Sequence, residues 1–216
     1  RLVGSEMCIR DRDGTISDTV LPVVNRIDDF QDFVSNGHRR EDGLPGEVPG
    51  SLKTAIKCFI MTCAIRRFRG QRNVHNSMLV HVSRYTNWQG HIRMLTETVF
   101  DFYRRGLDMK IPQVEEEFRR IFEENTEQYL SYRSVSQQIL DSGLRDIDTQ
   151  TGVHEWEDIR PCLAEAADLI QVREINGGSG DALNYYDHRE GLSVIAVGGD
   201  KLSRGLTLEG LSVSYY

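Results

Sequence analysis

Apolar residues along this chain follow two rhythms, a recurrence every three or four positions and short unbroken runs. Leu52, Ala55, Ile56, Phe59, Ile60, Cys63 and Ala64 follow Ser51 at helical spacing, and Gly70 comes after them. The pattern predicts a helix with Ser51 as its N-cap and Gly70 as its stop. Met78-Leu79-Val80-His81-Val82 is a short apolar run of the kind that forms a buried parallel strand. Ser83 to Asn87 reads as a loop ending in an N-cap, and Trp88, Ile92, Leu95, Val99 and Phe102 then recur helically up to Gly106. This is a strand–loop–helix unit. Open α/β sheets place ligand contacts in the loop at the carboxyl end of such a strand, so Ser83 and Arg84 are candidate binding residues. For Arg84 an ordinary surface ion pair stands as the alternative.

Ile111 to about Leu140 continues the helical rhythm, with Pro112 suited to a first turn and Val114, Phe118, Ile121 and Phe122 on one stripe. Glu115-Glu116-Glu117 and Glu123-Glu124 do not form a metal site on this pattern. Consecutive helical residues diverge by ~100°, so these side chains read as a solvated face. Glu155 to Asp168 predicts another amphipathic helix, with Trp156, Ile159 and Leu163 on one side. Ile170–Ile175, Leu192–Val197 and Leu211–Tyr216 read as strands, and Gly37–Gly50 as a loop. The last strand stops without a turn signal, which predicts a chain truncated at Tyr216. The fold class is α/β, a parallel sheet flanked by helices.

With 216 residues, 39% of them hydrophobic and 27% charged, the chain has the composition of a soluble globular protein. No window is long and apolar enough for a membrane span. The formal net charge of −7 excludes a general polyanion binder, so any nucleic-acid contact needs a local basic patch. The strongest such cluster is Arg66-Arg67-Phe68-Arg69-Gly70-Gln71-Arg72. It is either a solvated helix end favoured by the helix dipole or a phosphate-contacting patch including Arg66, Arg67 and Arg69. Cys8, Cys58, Cys63 and Cys162 contain no second close pair to complete a zinc site, and they read as thiols of a reducing cytoplasm. No metal is expected. Arg1–Arg12 resembles translated sequencing-adapter DNA and is excluded from the fold. Asp11-Arg12-Asp13-Gly14-Thr15 matches the nucleophile signature of haloacid-dehalogenase-type phosphatases, but no apolar strand leads into Asp11.

The segment GGDKLSRGLTLEG, Gly198 to Gly210, carries four glycines, a lysine and an arginine after an apolar strand. It is not a P-loop, because that cradle needs GxxxxGK[ST], and it lacks the dinucleotide fingerprint GxGxxG as well. A strand, a polar loop, Arg-Gly and an aliphatic–Thr–aliphatic tail resemble the fifth conserved motif of superfamily 2 helicases. Taken with Ser51–Ile56, Arg66–Gly70 and Ser77–Thr86, the segment is similar to the Z1 domain family. Its members are described as endonucleases and occur with superfamily 2 helicase modules in bacterial restriction and phage-defence systems. The resemblance spans about residues 51–216.

The resemblance implies a RecA-like second helicase domain, residues 51–105 and 169–216, with a mainly helical insertion at 106–168 and a linker at 13–50. It implies that Gly198, Gly199, Lys201, Ser203, Gly205 and Thr207, with Ser83 and Arg84, contact a DNA strand, and that Arg204 couples to the ATP cleft. ATP and Mg2+ would be held by a first RecA-like domain of the same polypeptide and not by these residues. Further partners would be defence-system proteins, the setting cytoplasmic. The alternative is a non-catalytic protein-interaction module on a RecA-like scaffold.

Overall fold

The helical rhythm after residue 50 forms α1 (Gly50–Phe68) in the computed structural model, which describes residues 25–31, 33–35, 37–81, 83–127, 129–141, 152–175, 183–199 and 207–216. Eight residues of α1, from Leu52 to Ile65, are buried, including Met61 on the side opposite the expected stripe, so the helix is covered almost all round. Its stop is as expected. Gly70 takes φ +80°, its N–H bonds Arg67 O at 2.9 Å and that of Gln71 bonds Arg66 O at 2.9 Å. The paired bonds form a Schellman cap around a residue that favours glycine. Ser51 is not the N-cap. Pro49 holds that position, and the Ser51 N–H is instead satisfied by Asp29 Oδ2 at 2.8 Å.

Four parallel strands follow: β1 (Asn76–Val80), β2 (Ile170–Ile175), β3 (Ser193–Gly198) and β4 (Leu211–Tyr215). Their spatial order is β2-β3-β1-β4. β1 and β3 are buried along their whole length, as strands covered on both faces must be. β1 begins two residues earlier than its apolar run, because Asn76 and Ser77 are buried with their polar groups bonded. Asn76 donates to Ser193 Oγ at 3.1 Å, and the Ser77 hydroxyl meets Tyr185 OH at 2.9 Å and Glu209 O at 2.8 Å. On one face Leu79, Val194 and Ala196 pack with Ile175, Leu183, Tyr185 and Leu192, and Leu208 of the β3–β4 connection adds to them. The alternate residues Met78, Val80, Ile195 and Val197 point to the other face, that of the helices.

The helical layer consists of α1, α2 (Thr86–Asp108) and a broken helix, α5 (Trp156–Ile159), a 3₁₀ turn Arg160–Cys162, and α6 (Leu163–Asp168). Pro161 cannot donate a backbone hydrogen bond, which explains the interruption in what reads as one helix. In the chain, α3 (Pro112–Glu123) and α4 (Tyr132–Asp141) come between α2 and α5. α2 differs from its expected stripe. Trp88, Ile92, Thr96, Phe100, Tyr103 and Leu107 are buried, whereas Phe102 is 59% exposed. Gly106 does not end α2 but lies buried inside it, where an added Cβ would come within 2.6 Å of Val114 on α3. The α3 glutamates have separate partners, Glu117 with Lys57 at 2.8 Å and Glu115 with Arg160 at 3.5 Å.

The chain divides into two units, residues 27–119 with 155–216, which contain the sheet, and residues 1–26 with 120–154. In the second, Ser131 is the N-cap of α4. It is fully buried and its Oγ accepts the Ser134 N–H at 3.2 Å.

Candidate functional site

β1 and β3 are neighbours whose outgoing connections run to opposite sides of the sheet, β1 toward β2 through the helical layer and β3 toward β4 past Leu208 on the other face. In open α/β sheets such a switch point is where ligands bind, outside the carboxyl ends of the two strands. The loops leaving β1 and β3 meet there. A Cβ on Gly199 would stand 2.9 Å from Ser83 O and would overlap Gln89 Nε2, so only a residue without a side chain permits this approach. Gln89, at 4% exposure, donates to Ser83 O at 3.0 Å and locks the loop to α2.

Ser83 lies beneath this rim. It is 3% exposed, its Oγ accepts the Tyr85 N–H at 3.2 Å, and it pairs with His38 Nε2 at 2.8 Å. Its hydroxyl is committed to shaping the loop. Arg84 is exposed at the start of α2, with Nη2 2.8 Å from Tyr85 OH and the guanidinium 5.0 Å over the Tyr85 ring. α2 begins at Thr86 and not after Asn87, and no side chain caps it. Its first backbone N–H groups are therefore available to an anion. Asn87 reaches away to Arg40 O at 3.1 Å. Two buried polar atoms of this first turn, Trp88 Nε1 and Gln89 Oε1, have no hydrogen-bond partner among the described residues. Unsatisfied groups of this kind are uncommon in folded proteins.

A contributor that the sequence reading missed is the segment before α1. His38 stacks edge-on to Tyr85 and tilts against Trp88 with centroids 4.6 Å apart. Pro45 O meets His91 Nε2 at 2.7 Å, and Asp29 meets the start of α1. Residues read as a loop-rich linker thus strap the carboxyl edge of the sheet. The signals that could have drawn attention to it are its charged pair Arg39-Arg40 and the apolar Phe33, Val34 and Val48, all three buried.

Gly198 ends β3, buried and paired with Ile175. Lys201, Ser203, Arg204 and Gly205 lie outside the described residues, as does the Asp11–Thr15 phosphatase signature. Thr207 is exposed, three residues before Gly210. Gly210, at φ +66°, crosses the His75 backbone at the opposite, amino edge of the sheet. The arginine run belongs to that opposite edge too. Arg66 donates to His75 O at 3.1 Å and Asn76 Oδ1 at 2.7 Å, and Arg67 bonds Glu165. Arg69 is the C-cap residue of α1. A strand of this length separates the two edges by roughly 15 Å, so Arg66, Arg67 and Arg69 do not join Arg84 on one surface. Arg67 holds the Glu165 carboxyl below the usual carboxylate range by its hydrogen bond.

The described rim offers arginine and backbone donors, which suit an anionic group. No cluster of three or more metal-ligating side chains occurs among the described residues. No described helix is long and apolar enough to cross a membrane.

The family model of the Z1 domain matches residues 51–216. The chain belongs to the Z1 domain family. The match takes in the whole sheet, α2 and the rim, and it begins at the first turn of α1, so the strap lies ahead of it. Comparison of this Z1 domain protein with curated proteins and with solved structures gives no match.

Proposed function

We propose that this Z1 domain protein supplies the strand-contacting and coupling lobe of an ATP-dependent DNA-acting enzyme, a helicase-linked endonuclease of a restriction or phage-defence system. The lobe is RecA-like in this reading, and a partner RecA-like lobe holds ATP and Mg2+. The observation that carries the proposal is the contact of Gly199 with Ser83 O and Gln89, which joins the loops of two central parallel strands at a switch point beside an uncapped helix start. Arg84, the backbone at Gly198–Gly199 and, from the sequence, Lys201, Ser203, Gly205 and Thr207 contact the phosphates. Ser83 positions the loop, and Arg204 faces the ATP cleft.

The test is fluorescence anisotropy of a labelled DNA oligonucleotide with the full chain, across a salt titration. Arg84→Gln should weaken binding and lower the salt slope by about 0.7–0.9, the value of one phosphate contact. A chain that does not bind DNA at low salt refutes the proposal. In a polypeptide carrying the ATP-binding lobe, Arg204→Ala should reduce DNA-stimulated ATP turnover. The protein-interaction reading draws on one observation, that Arg66 and Arg67 are spent on internal bonds at the other edge in a chain of net charge −7.

A further inference from the structure

We propose that the strap Ile27–Pro49, which precedes the family match, forms the second half of the DNA interface, with Arg39 and Arg40 standing beside Arg84 to take the phosphodiester backbone. This rests on the DNA reading above. His38, one residue earlier, is pinned to Ser83 and flanked by Tyr85 and Trp88. The Arg40 carbonyl is pinned by Asn87, three residues after Arg84. Both arginine backbones are therefore fixed within a residue of groups that touch the loop carrying Arg84. Both side chains are exposed, and neither has a hydrogen bond or ion pair among the described residues. Arg66 and Arg67, by contrast, are turned inward at the opposite edge.

A guanidinium matches two phosphate oxygens at once, and three of them along one rim follow a backbone rather than a single ion. Asp42 closes the strap's turn by accepting the Arg39 N–H at 2.7 Å, and Glu41 is exposed next to it. These two carboxylates reduce the local field, so the rim attracts DNA less strongly than three isolated arginines would.

The experiment uses the full chain and a fluorescein-labelled single-stranded oligodeoxynucleotide, read by anisotropy through a salt titration. Arg39→Gln/Arg40→Gln should lower the salt slope by up to about 1.4, two single-strand phosphate contacts, while circular dichroism and thermal midpoint stay unchanged. Arg39→Lys/Arg40→Lys should keep the slope. If Arg84→Gln lowers the slope and the double glutamine variant does not, the strap has no part in binding and this inference falls while the DNA reading stands. If the wild-type chain binds no DNA, both fall. A wild-type chain that binds poly-glutamate as tightly as the oligonucleotide at the same salt overturns the assignment to DNA.

Discussion

Replacing Gly199 by alanine tests whether the rim is built as described. The new methyl would stand 2.9 Å from a backbone oxygen, Ser83 O, which cannot move without shifting the whole loop. It would also displace the Gln89 amide from its 3.0 Å bond to the same oxygen. Overpacking of a tight interior contact costs about 1–3 kcal/mol. Loss of the Gln89 bond adds about 1 kcal/mol. The expected total is about 2–4 kcal/mol. In a chain of this size each kcal/mol lowers the thermal midpoint by about 2–4 °C, so a fall of about 5–15 °C is expected. Urea unfolding of the full chain gives the free energy directly. A double-mutant cycle with Gln89→Ala then separates the two terms, because the alanine at 199 should cost less once the amide is gone, by about 1 kcal/mol or more. A Gly199→Ala chain within about 0.5 kcal/mol of wild type would mean that the two loops are not held together at Gly199.

Gly106→Ala should destabilise by about 1–3 kcal/mol against Val114, and Val114→Ala should recover most of the loss; urea unfolding of the single and double variants checks this. Glu165 gives a pH signature. Its folded carboxyl titrates below the ordinary value of 4.5 because Arg67 bonds the charged form, so the stabilisation is present above that value and fades as pH falls through the folded one. Glu165→Gln should therefore lower stability near neutrality and converge with wild type in acid. Parallel stability curves at all pH values would refute the link.

Local chemistry made much of the core legible. β2 runs from Ile170 to Ile175 as its pattern indicates, and Gly70 ends α1 because only a left-handed residue completes that cap. The failures have tertiary causes. Ser51 has the right chemistry for an N-cap, yet Asp29, distant in sequence, takes over the donor while the Ser51 hydroxyl bonds Tyr215 OH at 2.8 Å. Leu95, Val99 and Phe102 continue the spacing of Trp88 and Ile92, but the sheet and α6 face a stripe rotated toward Thr96, Phe100 and Tyr103. A hydroxyl at the centre of a buried stripe carries no apolar signal. At the site, Ser83 and Arg84 could be located from the strand–loop–helix pattern. The part played by His38, Arg39 and Arg40 could not, because contacts across 45 residues leave no periodicity.

The strap also bears on where this module starts as an independently folding body. A polypeptide begun at Ser51 would keep every residue of the family match and lose Asp29, His38 and Val48. The first turn of α1 would give up its acceptor, and the indole of Trp88, 2% exposed, would lose a ring that shields it. The sequence boundary and the thermodynamic boundary of the domain are therefore about two dozen residues apart, and the shorter version would present sticky aromatic surface at the carboxyl edge of the sheet.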